Sequence, residues 1–390
     1  MNETIYMPVG EVCSSISDTY REKKNMVTLI NTSDVLEGRV LNHERVPNSN
    51  LKGQFKKTFQ RDDILYSEIR PQNRRFAYVD FSPIDYIAST KLMVIRAKKD
   101  VVSPKYLYYF LKNSSTVAEL QLLAETRSGT FPQITFSEVA NLTIPVPPLA
   151  VQEVIVQTMQ CLEDKTICNE QINDNLQQQL FSLYENMATA SPCLKEYTLS
   201  NLCDFQEGYV NPPQTHPEYF DGEVKWLRAV DINESFIIET SRTLTKAGFE
   251  SAKKSALLFE PNTIAISKSG TIGRLGIIAD YMCGNRAVIN IAPHDTNMLA
   301  FIYCFLKSKQ REFPDMAVGS VQKNLYVSLL EPLSVSIPDN ESLTAFNAVG
   351  ASILGMIHNN CVENTDLANL RDTILPKLMS GEIDVSSVLL

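Results

Sequence analysis

Apolar residues recur along the chain with two periods, and each period is used twice. Short β-rich runs occupy 27–31, 64–67 and 92–96, then again 224–227, 264–267 and 288–291, with Gly, Pro and Asn turns between them. Short helical patterns follow at 105–113 and 298–307. A final apolar run then ends at a proline that also opens a much longer helical pattern. Strands followed by helices in this arrangement predict an α+β chain.

The two halves match in sequence as well as in pattern. At an offset of 200, ILYSEIRPQNRRFAYVD meets IAISKSGTIGRLGIIAD, pairing Ile64 with Ile264, Ser67 with Ser267, Arg74 with Arg274 and Asp80 with Asp280. YYFLK (108–112) then meets YCFLK (303–307) at 195. NLTIPVPP (141–148) meets PLSVSIPD (332–339) at 191. The falling offset implies loop deletions in the second copy, and the common order of matches identifies an internal repeat.

The long helical patterns repeat most strictly. Counting sevens from Ile155 reaches Leu162, Asn169, Leu176 and Leu183; counting sevens from Phe346 reaches Ile353, Asn360, Leu367 and Ile374. Four apolar residues around one asparagine form the pattern of a coiled-coil seam, in which the polar residue weakens packing but fixes register. The predicted helices run about 40 residues, roughly 60 Å at 1.5 Å per residue. Each would align antiparallel with the other or pair with a matching helix elsewhere. Two ordinary amphipathic core helices are the plainer alternative, but so little flanking sequence is available to bury them that a spacer fits better.

Charge changes this picture. The whole chain carries −9, which argues against a nucleic-acid partner. Its distribution argues the other way: residues 1–147 sum to +3 and 195–338 to −2, whereas 148–194 and 339–390 carry −5 each. The excess acid lies on the helices. Length exceeds one ordinary domain, and neither a bilayer-spanning apolar run nor a signal peptide is found. Eight scattered cysteines without a CxxC pair read as buried thiols in a reducing cytoplasm, and the four histidines form no cluster with them.

Candidate chemistry is confined to loops. Asn211-Pro212-Pro213-Gln214 approaches the (D/N/S)PP(Y/F/W) motif by which amino-methyltransferases hold a flipped base, but Gln214 lacks the stacking ring and no glycine-rich cofactor loop follows a strand. A proline-rich surface loop is the better reading. The turn Ser267–Arg274 has neither Walker spacing nor its terminal Lys-Ser/Thr. With Lys268, Ser269, Thr271 and Arg274 it suits phosphate and guanine contacts instead. Its counterpart offers Arg70, Gln72, Asn73, Arg74 and Arg75, types that pair with guanine and adenine edges. A solvated charged turn is the alternative in both copies. Lys52, Lys56, Lys57 and Arg61 form one basic stretch, and Arg21, Lys23 and Lys24 another. Loops with Thr130 and Gln133, and with Gln322, Lys323 and Asn324, precede the last strand of each block; Arg228 and Arg286 complete the candidate DNA contacts. Trp226 reads as a core anchor. No catalytic triad, paired carboxylate or metal cluster can be assembled from local spacing.

The chain resembles the specificity (S) subunits of type I restriction–modification enzymes. The resemblance rests on Ile264–Arg274 (IAISKSGTIGR), on 129–148 ending IPVPP with Leu149 and Gln152 after it, on 319–324 (GSVQKN), and most specifically on 370–385 (LRDTILPKLMSGEIDV). It spans nearly the full length. It implies two mixed α/β target-recognition domains, 1–147 and 191–338, separated by two long antiparallel coiled-coil helices within 148–190 and 339–390. No extra helix is expected ahead of the first domain, where some members carry one. It further implies a double-stranded, bipartite DNA site and a helical ruler that docks two methyltransferase subunits, with restriction/translocase subunits completing the complex. The expected chain is cytoplasmic and non-catalytic, has no cofactor or metal and no membrane contact, and leaves S-adenosylmethionine to the partner methyltransferase. The alternatives are an autonomous adenine methyltransferase and a coiled-coil scaffold without a DNA role.

Overall fold

The computed structural model describes residues 4–22, 24–49, 53–126, 132–190, 195–320 and 322–385. They form two compact units, the first of residues 1–164 with 367–390 and the second of 165–366. This division differs from the expected boundaries. It passes through both long helices, Leu149–Ala190 and Asn340–Ser380, so each unit contains part of each.

In the first unit a four-stranded antiparallel sheet has the spatial order Cys13–Ile16, Leu92–Ala97, Ile64–Ser67, Phe76–Tyr78. The central strands are mostly apolar and buried on both faces, with Ser67 and half-buried Arg96 the polar exceptions, which is why they read as near-continuous runs rather than alternations. A second sheet is ordered Arg45–Pro47, Met26–Ile30, Tyr86–Ser89, Phe55–Lys57, with its middle pair parallel and its outer pairs antiparallel. The strand Ile5–Pro8 pairs with Thr143–Val146.

The second unit repeats this topology. Its first sheet runs Cys203–Glu207, Val288–Pro293, Ile264–Ser267, Leu275–Ile278, with Phe236–Ile237 added in parallel at the edge. Its second runs Thr243–Leu244, Phe220–Leu227, Met282–Gly284, Leu258–Phe259, again antiparallel, parallel, antiparallel. Lys195–Thr198 pairs with Ser334–Ile337. Register repeats too: Ile64 lies opposite Ile95, and Ile264 opposite Ile291. The expected helices fall at Pro104–Lys112 and Leu299–Lys309.

The long helices supply part of each core. In the first unit Ile155, Val156 and Met159 join one cluster with Leu375, Leu378 and Met379. That cluster also takes in Val385, brought back by a turn in which Gly381 adopts a left-handed φ of 79° and Ile383 N–H donates to the Lys377 carbonyl (3.1 Å). In the second unit Leu180, Tyr184, Phe346, Ile353, Leu354 and Ile357 share a core with Phe301 and Phe305.

The asparagines meet with a stagger. Asn169 does not face Asn360; its Nδ2 donates to Asn364 Oδ1 (2.9 Å) and Glu363 Oε2 (2.7 Å), while Asn360 Nδ2 donates to Asn173 Oδ1 (2.8 Å). Rising numbers on one helix meet falling numbers on the other, so the segments are antiparallel. Of the remaining seam positions, Leu162, Leu176, Leu367 and Ile374 are half-buried and Leu183 is exposed.

Cys13, Cys203, Cys283 and Cys304 are buried, and burial pushes each thiol up to about 12. Cys161 and Cys168 depart from the expectation of buried thiols: both are exposed, on the outer side of the first long helix. Cys193 lies outside the described residues. No helix among the described residues is long and apolar enough to cross a membrane.

Candidate nucleic-acid interface

Both units build a turn closed by a buried serine at the end of the same strand. In the second, buried Ser267 accepts from Arg274 N–H (2.8 Å) and donates to the Thr271 carbonyl, closing a loop whose left-handed positions are Gly270 (φ 77°) and Gly273 (φ 85°). A Cβ on Gly273 would press on Phe313, whereas Gly270 faces open space, so only the first is doubly constrained. In the first unit Ser67 Oγ accepts from Ile69 N–H (3.0 Å), and the left-handed positions are held by Arg70 (φ 45°) and Arg74 (φ 51°). Non-glycine residues in this region cost on the order of 1 kcal/mol each and persist where surrounding structure fixes them.

Each turn is tied to the loop before the last strand, as the matching sequences implied. Ile134 N–H donates to the Glu68 carbonyl (2.9 Å) and Arg70 N–H to that of Pro132 (3.1 Å); Leu325 N–H donates to the Lys268 carbonyl (2.9 Å). The loops thus come together in both copies.

The candidate donors divide into two sets. Lys57 Nζ donates to the Leu92 carbonyl (2.8 Å), and burial lowers its pKa. Arg74 donates to Ser114 Oγ (3.0 Å), and Arg75 to the Ser33 and Val35 carbonyls (3.1 and 3.4 Å). Gln133 accepts from Lys91, and Asn324 donates to the Gln322 carbonyl. Lys268 is paired with Glu207 at 2.9 Å and lies over the Tyr326 ring. These groups hold the turns in place. Lys56, Arg70, Gln72, Asn73, Thr271, Arg286, Gln322 and Lys323 are exposed, and Ser269 and Arg274 half-buried. Thr130 lies outside the described residues, as do Lys23 and Lys52. Gln214 accepts from Arg242 (3.1 Å), and Trp226 is a core anchor whose Nε1 donates to the Val210 carbonyl (2.8 Å). No group of His, Cys, Asp and Glu suited to a metal occurs among the described residues.

A second matched pair of turns escaped the sequence reading. At an offset of 197, the 3-10 turns Thr32–Asp34 and Ala229–Asp231 each follow the second-sheet strand that pairs parallel with its neighbour. In each, the aspartate reaches back to the backbone N–H of the residue before the turn: Asn31 N–H to Asp34 Oδ2 (2.7 Å) and Arg228 N–H to Asp231 Oδ2 (2.9 Å). The only shared residue is the aspartate, too little for a search by identity.

Comparison with known proteins agrees with the repeat. A model of the type I restriction modification DNA specificity domain matches twice, at residues 6–178 and 194–365. The specificity subunit of the type I restriction enzyme HindI of Haemophilus influenzae is 27% identical over 434 aligned residues, covering 92% of this chain and 94% of that protein. That of MjaIX from Methanocaldococcus jannaschii is 24% identical, covering 79% and 77%. The crystal structure of a type I restriction–modification S subunit from M. genitalium superposes with a TM-score of 0.50 at 17% identity, covering 97% and 96% of the two chains, a likeness of fold. The chain belongs to the type I restriction–modification specificity family and carries the family's DNA specificity domain twice.

Proposed function

We propose that the chain is the sequence-reading subunit of a type I restriction–modification complex, each repeat unit recognising one half of a bipartite duplex site. The observation that carries this reading is the paired architecture: one sheet order and register in both units, with different polar residues on matching turns. Two halves of an asymmetric site demand that combination of shared scaffold and divergent surface. The chain itself performs no chemistry in this reading. Methyltransferase subunits dock on the acidic helices and transfer the methyl group from S-adenosylmethionine to a flipped adenine, and restriction/translocase subunits join them.

Replacing 195–338 by the same segment of a relative should change the methylated motif in one half only. A change in both halves, or none, would refute the modular reading. S-adenosylmethionine binding by the isolated chain would favour an autonomous methyltransferase. A complex without salt-dependent affinity for any defined bipartite site would leave a scaffold.

A further inference from the structure

We propose that the capped turns Thr32–Asp34 and Ala229–Asp231, with the residues that precede them, are base-reading elements, the second directing Arg228 to a guanine and Val230 to a neighbouring thymine methyl. This rests on the DNA-reading function above and names the side chains that perform it.

The two turns share what a scaffold needs and differ in what a reader needs. The capping aspartate is common to both, and it fixes the backbone by the same bond. The outward residues are unrelated: Asn31, Thr32 and Ser33 in the first unit, Arg228, Ala229 and Val230 in the second. Val230 is 70% exposed, an apolar side chain at the tip of a polar turn that packing does not explain.

Arg228 is held ready for a planar partner. Its guanidinium lies 5.5 Å from the centre of the Trp226 ring, Nη2 donates to Ser241 Oγ (2.6 Å), and Nε sits 3.7 Å from Asp231 Oδ2. Ser241 is in turn fixed by Asp231 Oδ1, which accepts from Ser241 N–H (3.0 Å). Nη1 makes no hydrogen bond among the described residues, and 27% of the side chain remains exposed. A guanidinium fork immobilised in this way loses little entropy on meeting guanine O6 and N7. An exposed cation, Arg286, follows Asn285, whose N–H donates to the Leu227 carbonyl (2.9 Å), while Arg242 is taken up by Gln214 (3.1 Å) and the Phe220 ring (4.2 Å). Arg286 suits a phosphate beside the base read. The first turn has no arginine at its cap. Asn31 Oδ1 caps Thr32 N–H (2.9 Å), which leaves Nδ2 and the exposed Ser33 hydroxyl as the groups this turn offers a base, so the two half-sites should differ.

The test is selection from randomised duplexes by the full chain assembled with its methyltransferase subunits, using wild type, Arg228→Lys, Val230→Ser and Ser33→Val. Arg228→Lys keeps the charge but loses the fork, and should cut the preference for one guanine by about 5- to 150-fold, in one half-site only. Val230→Ser should relax a neighbouring thymine, and Ser33→Val should alter the other half. Val230 and Ser33 are exposed, so these two variants report even where Arg228→Lys fails to assemble. Variants that enrich the wild-type motif unchanged would overturn the assignment while leaving the DNA-reading function intact. A wild-type complex that enriches no motif would overturn both.

Discussion

At the scale of single residues the internal repeat provides its own control. Asp63 is fully buried and accepts two bonds from Arg96, Nε and Nη2 at 2.7 Å each, and a third from Gln60 N–H (2.8 Å). At the matching place the second unit has Thr263, donating to the Glu260 carbonyl (2.6 Å), and Ala292. A neutral solution therefore exists for the same fold. Arg96→Ala should cost about 3–5 kcal/mol by stranding a buried carboxylate. The double variant Asp63→Thr/Arg96→Ala should recover most of that loss. Denaturant unfolding of all variants in one cycle measures it; a double variant no better than the single one would contradict the argument. The same logic shows why sequence located the candidate loops but not which side chains are available there. Lys268 and Arg75 look like DNA contacts in a list of residues, yet their bonds go to Glu207 and to the Ser33 and Val35 carbonyls, partners about 40 to 60 residues away. Trp226 was legible as an anchor because its size admits few other roles.

The elements were more legible, because periodicity survives without knowledge of partners. The expected strands and helices fell within a few residues of their places, though the helix Ser114–Thr126 was not foreseen, and the heptads named an asparagine in each long helix. The stagger was not readable, since it needs Asn173 and Asn364, which are again 191 apart but off the counted seam. The resulting layer is symmetric at its centre and asymmetric at its edge. Lys165 bonds both Asn169 Oδ1 and Glu363 Oε2 at 3.0 Å, whereas the positions equivalent to Lys165 and Glu363 are Met356 and Ile172, both exposed. Asn169 and then Lys165 hold the Glu363 carboxyl below its ordinary value of 4.5. A carboxylate lowered on folding contributes stability that is complete above that ordinary value and is lost as pH falls through the folded one. Asn169→Ala should return the Glu363 titration towards 4.5, read by carboxyl NMR, because the bond that does most to hold it down is removed while Lys165 remains. An unmoved titration would mean that Lys165 alone sets it.

For the whole molecule, the repeat was visible in sequence as drifting offsets in the sheets and a constant offset in the helices. The structure gives that contrast a mechanical sense. Loops shorten at little cost because they lie on the surface, whereas losing one residue from a packed helix turns every following side chain by about 100° away from its seam. Seven residues, close to two turns, nearly preserve the faces. Removing one heptad from each helix at matching places should therefore keep both cores while shortening the helices by about 10.5 Å. At about 3.4 Å per base pair, that corresponds to roughly three base pairs of unread DNA between the half-sites. The rotation that accompanies three base pairs is close to a third of a turn. The shortened complex must then either select a spacer about three base pairs shorter or lose affinity because the rotation of the DNA is not matched. Methylated-site sequencing separates these outcomes. An unchanged spacer at unchanged affinity would show that the helices do not measure the site.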